Sequence, residues 1–402
     1  MPDVNDNLLR ARIAAQLENL RDQSQLRSLE LSSGINLCSN DYLGLAADPR
    51  LKQAVVEAVA SATQVGATGS RLLSGNSREW QELESEFADF AGTDAALYFG
   101  SGYAANLGLL SSVLQSGDIV FSDALNHASL IDGIRLSGAR KIIYPHRDVE
   151  FLEKSLREHS SAPYAKLIVT ESIFSMEGDV APVNELVRLA KKYGAELVID
   201  EAHALGVWGP QGRGIAAEMK CEREIFAVVY PCGKALASAG AFVCCHAALK
   251  EFLVNRARTF LFSTAMPPYI AGQIRAALAI ARAEDSRRTY LRELSAALRQ
   301  ALASAGLNFG SSSTHIGPVI FGTNVVALHV ASQLQAAGFI ARAIRPPTVP
   351  ASTARIRVSL TSRITREHVH RVVAIMNAAV RSLPSSSHSS GQVPAAATLA
   401  HA

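Results

Sequence analysis

Three consecutive stretches decide the fold: AKLIVTESIFSM (Ala165–Met176), PVNELVRLAKKYG (Pro182–Gly194) and AELVIDEAH (Ala195–His203). The outer two hold short apolar runs. The middle one repeats its apolar residues at helical spacing. A strand, a helix of about a dozen residues and a second strand make a βαβ crossover, which predicts a parallel sheet.

Outward from this unit, helical patterns alternate with short apolar runs from about Pro49 to Arg282. Downstream, IFAVVYPCGKALASAGAFVCC (Ile225–Cys245) holds two strand-like runs, too close for a helical crossover. They predict a locally antiparallel edge. YIAGQIRAALAIARAEDSRRTYLRELSAALRQALASAG (Tyr269–Gly306) reads as one long helical stretch. From Pro318 the pattern is strand, helix, strand, then ARIRVSLT and a last helix, a small α+β domain. At the other end, LLRARIAAQLENLRDQSQLRSLE reads as an amphipathic arm. The expected organisation is a helical arm over 1–36, a large domain over 37–282, a small domain over 283–383 and a disordered tail over 384–402. The tail is rich in Ser, Ala and Pro.

Composition suits a soluble globular protein: 48% hydrophobic and 19% charged over 402 residues. A net charge of +3 predicts no nucleic-acid footprint. The start lacks a signal-peptide pattern and no apolar run is long enough to span a bilayer, so no membrane partner is expected. Cys38, Cys221, Cys232, Cys244 and Cys245 form no C-x-x-C pair. That argues against a disulfide framework or zinc site and for a reducing, cytoplasmic setting.

Asp200 and His203 end a predicted parallel strand, where open α/β sheets bind ligands. Taken alone, such a pair reads equally well as a turn cap or an ion pair. Lys234 follows a strand and has Cys232, Gly233, Ala235, Leu236 and Ala237 for neighbours. An amine kept from water becomes a usable nucleophile for Schiff-base chemistry. A lysine and a carboxylate on neighbouring strand ends match the needs of pyridoxal 5'-phosphate (PLP): an amine for the aldehyde and an anion for the pyridine nitrogen. Ser101, Gly102 and Tyr103 stand where an apolar run turns into a helix, a place for a phosphate. His127, before another helix, offers a ring to stack on the pyridine. In isolation it reads as a cap.

These motifs lie in a definite order: NLCSNDYLGLA, GSRLLSGNS, GSGYAAN, LNHASL, TESIFSMEGDVAP, DEAHALGVWGPQGRG, GKALASAGAFV and FSTAMPP. Together they resemble the α-oxoamine synthases, dimeric enzymes that join an amino acid to an acyl thioester. The resemblance covers nearly the whole chain before the tail. It implies an α/β, fold-type I PLP-dependent transferase, with a mostly parallel seven-stranded sheet flanked by helices and a small α+β C-terminal domain. It also implies a homodimer with shared active sites. AIRPPTVPASTARIRVSLT (Ala343–Thr361) is similar to the branch that uses L-alanine and a pimeloyl thioester, carried on coenzyme A or an acyl carrier protein. By this resemblance Lys234 carries PLP and acts as base, Asp200 pairs the pyridine nitrogen, His203 meets the phenolic oxygen and His127 stacks on the ring. Ser101, Gly102, Tyr103, Glu171 and Ser175 lie at the cofactor. Ser263 and Thr264 of the partner subunit reach the phosphate. Arg27, Asn40, His127 and Thr348 touch substrate, and Arg357 holds the amino-acid carboxylate with a guanidinium fork. In isolation, Arg345, Arg355 and Arg357 read as a solvated basic strand face.

Two positions depart from the family pattern. Pro231 stands where a phosphate-binding hydroxyl is usual, and Trp80 where a histidine is common. Tyr230, the Cys232 N–H, Ser101, a water, or Ser263 and Thr264 of the partner subunit are then expected to cover the phosphate. Three rivals remain open. Tyr230-x-x-x-Lys234 has the spacing of short-chain dehydrogenases, which need both residues on one helix face. A cofactor-less scaffold subunit would be expected to lack the lysine. A sibling such as 2-amino-3-ketobutyrate ligase shares fold and cofactor but not substrates.

Overall fold

The computed structural model describes residues 8–29, 31 and 33–383. The expected disordered tail lies outside the described residues. The helices are α1 (Leu8–Asp22), α2 (Pro49–Ser61), α3 (Arg78–Ala91), α4 (Gly102–Val113), α5 (Ala128–Ser137), α6 (Val149–Glu158), α7 (Val183–Tyr193), α8 (Ile215–Glu218), α9 (Ala247–Arg256), α10 (Arg258–Leu261), α11 (Pro268–Ala283), α12 (Asp285–Ser304), α13 (Asn324–Ala336) and α14 (Arg366–Arg381). The strands are β1 (Ile35–Asn36), β2 (Ala95–Phe99), β3 (Ile119–Asp123), β4 (Arg140–Tyr144), β5 (Lys166–Glu171), β6 (Glu196–Asp200), β7 (Ala227–Pro231), β8 (Ala241–Cys245), β9 (Ile316–Gly322), β10 (Phe339–Ile340), β11 (Ala343–Ile344) and β12 (Ala354–Ser359).

Two compact units divide the described chain. The larger comprises Asn40–Glu293 with Thr361–Arg363; the smaller comprises 8–39, Leu294–Leu360 and 364–383. The division falls within α12, later than the boundary expected after Arg282, because that helix continues unbroken across it.

In the larger unit seven strands form one sheet in the order β2–β8–β7–β6–β5–β3–β4. The crossover read from Ala165 to His203 is β5–α7–β6, with β5 and β6 parallel. Helix α7 forms because Val183, Leu186, Val187, Leu189 and Ala190 fall on one buried face. Gly194 ends it in the left-handed conformation at φ 58°. β8 is antiparallel to β7, as expected, but it is not the edge. It pairs on its other side with β2, which closes the sheet. Adjacent Cys244 and Cys245 are both buried, because each face of β8 is covered. One face packs Val120, Val169, Val198, Val229 and Val243 against Leu109, Leu110, Leu130, Ile134 and Leu253 from α4, α5 and α9. Burial contributes about 1.5–3 kcal/mol for each Val or Leu.

The single long helix expected after Tyr269 is two, α11 and α12. Glu284 leaves the helix at ψ 48°, where its carboxylate takes Arg50 at 2.5 Å and Arg287 at 3.2 Å. The smaller unit carries an antiparallel sheet β11–β12–β9 and a short parallel pair β1–β10. α13 packs on β12 and α14. The arm is helical over Leu8–Asp22 and buries none of its side chains within the chain.

Candidate active site

β5 ends at Glu171 and β6 at Asp200, register partners across the ladder. β7 ends at Pro231, just before Lys234. Parallel strands bring these carboxyl ends to one edge of the sheet.

Asp200 is buried, and both its oxygens are held. Oδ2 accepts from Asn106 Nδ2 at 2.7 Å and Oδ1 from the Ala202 amide at 2.8 Å. Asn106 Nδ2 also donates to Ser129 Oγ at 2.9 Å, and Ser129 Oγ lies 2.8 Å from His127 Nδ1. A polar chain therefore runs from His127 through Ser129 and Asn106 to Asp200. His127 caps α5, with Nδ1 accepting from the Ser129 amide at 3.2 Å. That leaves the neutral ring's proton on Nε2. Desolvation and then Lys234 lower its pKa, while Asp200 opposes them. The residue as a whole is exposed, which limits the desolvation.

His203 is buried, with Nδ1 2.6 Å from Tyr42 Oη, which donates to Asn40 Oδ1 at 3.0 Å. Glu171 is buried too, and Oε1 has no hydrogen-bond partner. Burial, with the Asp200 charge beside it, raises its carboxyl pKa well above the usual carboxylate range.

Lys234 is half-buried rather than enclosed, although Cys232, Ala235 and Leu236 are buried. Its loop closes on itself. The Cys232 amide donates to Gly240 O at 2.9 Å, Ser238 to Cys232 O at 3.0 Å and Ala237 to Lys234 O at 2.8 Å. Ala237 is held at φ 45°, a strained value for a residue with a Cβ. Lys234 acts electrostatically on both His127 and Glu171.

Ser101 caps α4, its hydroxyl accepting from the Ala104 amide at 3.0 Å. Gly102 follows, and a Cβ there would lie 2.9 Å from Pro231 Cγ. The N-terminus of α4 thus abuts the turn before Lys234. Tyr103 bonds Asp132 and stands edge-on to His127, ring centroids 6.4 Å apart. Ser175 is half-buried in a turn closed by Gly178 N to Phe174 O at 2.9 Å. Ser263 and Thr264 are exposed beyond α10, and Thr264 bridges Ser70. Arg27, Thr348 and Arg357 belong to the smaller unit. There Arg27 Nη2 donates to Thr348 Oγ1 at 3.1 Å, and Arg357 is buried in β12 rather than solvated.

Two expected phosphate groups are committed elsewhere. Tyr230 Oη donates to Arg213 O at 3.1 Å, and the Cys232 amide closes the lysine loop. Tyr230 also lies inside β7, so it shares no helix face with Lys234 and the dehydrogenase reading fails. Sequence reasoning missed Asn106, Ser129 and Tyr42, which orient Asp200, His127 and His203. The available signal was an asparagine amid the apolar residues of α4.

PLP requires a lysine amine, a carboxylate for its pyridine nitrogen, a ring over its face and N–H donors for its phosphate. Lys234, Asp200, His127 and the N-terminus of α4 are groups of these kinds, so the residues present fit the cofactor. The bare buried oxygens of Asn106 and Glu171 leave acceptors for a polar ligand at the same edge. Fold and site together define a fold-type I PLP-dependent transferase.

Comparison with known proteins agrees. The family model "Aminotransferase class I and II" matches residues 32–376. The 8-amino-7-oxononanoate synthase of Geobacter sulfurreducens is 43% identical over 379 residues, covering 90% of this chain and 96% of that protein. That of Anaeromyxobacter sp. is 43% identical over 385 residues, covering 92% and 96%. Serine palmitoyltransferase from S. paucimobilis, solved with PLP and myriocin bound, superposes with a TM-score of 0.85 at 30% identity, covering 93% of this chain and 98% of that one. The chain belongs to the aminotransferase class I and II family and, within it, to the α-oxoamine synthases, PLP-dependent enzymes of decarboxylative condensation.

Among the described residues no helix is long and apolar enough to cross a membrane.

Proposed function

We propose that this chain condenses L-alanine with a pimeloyl thioester to give 8-amino-7-oxononanoate. Alanine Cα gives up its proton and bonds to the thioester carbonyl carbon, the C–S bond breaks and the thiol takes a proton; the bond from Cα to the alanine carboxyl then breaks, CO2 leaves, and Cα takes a proton in its place. The observation that carries this substrate pair is 43% identity to an 8-amino-7-oxononanoate synthase over 90% of the chain.

PLP, when bound, supplies an electron-accepting ring that stabilises negative charge at Cα. The residues do the rest. Lys234 holds the cofactor and then, freed as an amine, takes the proton from Cα. Asp200, fixed by Asn106 and Ala202, keeps a proton at the pyridine nitrogen. His127, fixed by Ser129, covers one ring face and orients the substrate. His203, with Tyr42 behind it, holds a proton at the phenolic oxygen. Ser101, Gly102 and Tyr103 receive the phosphate at the α4 N-terminus, with Glu171 and Ser175 beside the cofactor. Arg357 offers its fork to a carboxylate, and Arg27, Asn40 and Thr348 contact substrate.

The chain acts as a homodimer, with Ser263 and Thr264 of the partner subunit completing the phosphate grip that Pro231 lacks. Exposed Leu72, Leu73 and Phe262, on the segments that carry Ser70 and Thr264, support burial there by a second copy.

A second reading, serine with a long-chain acyl thioester, draws on the fit to serine palmitoyltransferase. That TM-score of 0.85 exceeds the 0.76 found for an 8-amino-7-oxononanoate synthase from Francisella tularensis. The deciding experiment is alanine, glycine and serine against pimeloyl, succinyl, acetyl and palmitoyl thioesters, scored by thiol release. Alanine with pimeloyl is expected to give the highest kcat/KM. Any other best pair overturns the assignment.

A further inference from the structure

Trp80 is wholly buried and stacks on Tyr98, centroids 4.1 Å apart and planes at 23°. The two rings are anchored in opposite directions. Trp80 Nε1 donates to Met266 O at 3.1 Å, in the segment that follows Ser263 and Thr264. That segment is also pinned by the Ala265 amide on Gly69 O at 2.9 Å and the Thr264–Ser70 bridge. Tyr98 Oη donates to Ala239 O at 3.1 Å, in the loop that carries Lys234. The fit there is tight, because a Cβ at Gly240 would run into the Tyr98 phenol. Burial raises the phenol's pKa, so it stays a donor. Beneath the pair, Glu84 Oε1 accepts from the Tyr98 amide at 3.1 Å and from Arg71 Nη1 at 2.9 Å, and the Arg71 guanidinium lies 5.9 Å from the Trp80 ring centroid.

We propose that the Trp80–Tyr98 stack is a positioning brace that sets the Lys234 loop and the Ser263–Thr264 segment as one unit. Two planar rings in a close-packed core cannot shift independently, so movement at one anchor is transmitted to the other. The brace rests on the PLP reading, in which Lys234 binds the aldehyde and Ser263 and Thr264 serve a phosphate. In the dimer that phosphate belongs to the other subunit's cofactor, so the brace joins the lysine of one site to the phosphate grip of the next.

Two probes read the two anchors separately on the full chain freed of PLP. Pyridoxal has no phosphate and reports Lys234 through the pH midpoint of its Schiff-base absorbance. Pyridoxamine phosphate has no aldehyde and reports the phosphate grip through its Kd. Tyr98→Phe removes only the hydroxyl at the lysine loop, yet it is expected to weaken pyridoxamine phosphate about fivefold, the equivalent of one hydrogen bond. Trp80→Phe removes the N–H at Met266 and part of the stacked ring, at the anchor away from the lysine loop, yet it is expected to move the pyridoxal midpoint by about half a pH unit. Trp80→His keeps a ring N–H and is expected to return both readings toward the wild type. If each variant moves only the probe of its own anchor, or moves neither, the brace is overturned. If Trp80→Phe is not recovered folded, Tyr98→Phe decides alone, through its effect on pyridoxamine phosphate. A wild-type chain that bound neither probe would overturn the cofactor reading itself, a result distinct from probes that bind but respond independently.

Discussion

Replacing His146 by Asn should remove a pH-dependent share of stability that the structure lets one size. His146 Nδ1 lies 2.9 Å from Asp123 Oδ1, and Nε2 lies 3.1 Å from Asp179 Oδ2. Both carboxylates are buried. Arg147 is the other cation there, with Nη1 3.1 Å from Asp179 and its amide on Asp123 at 2.9 Å. Burial alone would lower the imidazole pKa, but the hydrogen bonds to Asp123 and Asp179 outweigh it and lift the pKa to about 9. The usual value is about 6.5, so the rise is worth about 3 kcal/mol at about 1.4 kcal/mol per pH unit. The pKa is raised on folding, so this stability is fully present below pH 6.5 and is lost as pH climbs through 9. The assay is urea unfolding of wild type and His146→Asn from pH 6 to 10. The wild-type advantage should shrink by about 3 kcal/mol across that range. An advantage that did not change with pH would refute the reasoning. The effect also bears on the site, because Asp179 O accepts the Phe174 amide at the turn that carries Ser175.

Lys234→Ala should abolish the visible absorbance that PLP gives the wild type, read by spectrophotometry after gel filtration. A colourless wild type that gains no colour with added PLP would count against the assignment. Asn106→Leu strips Asp200 Oδ2 of its 2.7 Å donor and should cost about 1.5–3 kcal/mol in urea unfolding and reduce the PLP retained on gel filtration. Ala237→Gly relieves a φ of 45° and should raise unfolding free energy by about 1 kcal/mol, seen as a higher Tm. A lower Tm would mean that the strain estimate is wrong.

The parallel core was legible because β5, α7 and β6 are contiguous, and each announces itself by period and by a closing Gly194. Lys234, Asp200 and His203 stood out in the sequence as candidates because they are polar residues set against apolar strands. The rest depends on distant pairs. The place of β8 inside the sheet depends on β2, far upstream, and no local pattern of GAFVCC reveals it. Nothing at Ala283, Glu284 and Asp285 resembles a helix breaker. The break follows from the Glu284 carboxylate meeting Arg50 and Arg287. Asn106, Ser129 and Tyr42 are ordinary residues until folding sets them beside Asp200, His127 and His203. Lys234 was expected to be enclosed, but the small residues around it belong to the buried loop that presents it.

The placement of β8 between β7 and β2 bears on synthesis. β2 is apolar and buried at every position, and among the described residues β8 is its only partner strand in the sheet. The ribosome makes β2 first and must then add everything from Gly100 to Gly240. At cellular elongation rates that is on the order of ten seconds. Throughout that interval a sticky five-residue segment has no native mate, while the parallel strands made after it can pair among themselves. Nascent chains arrested between Phe99 and Ala241 are therefore the ones most in need of a chaperone.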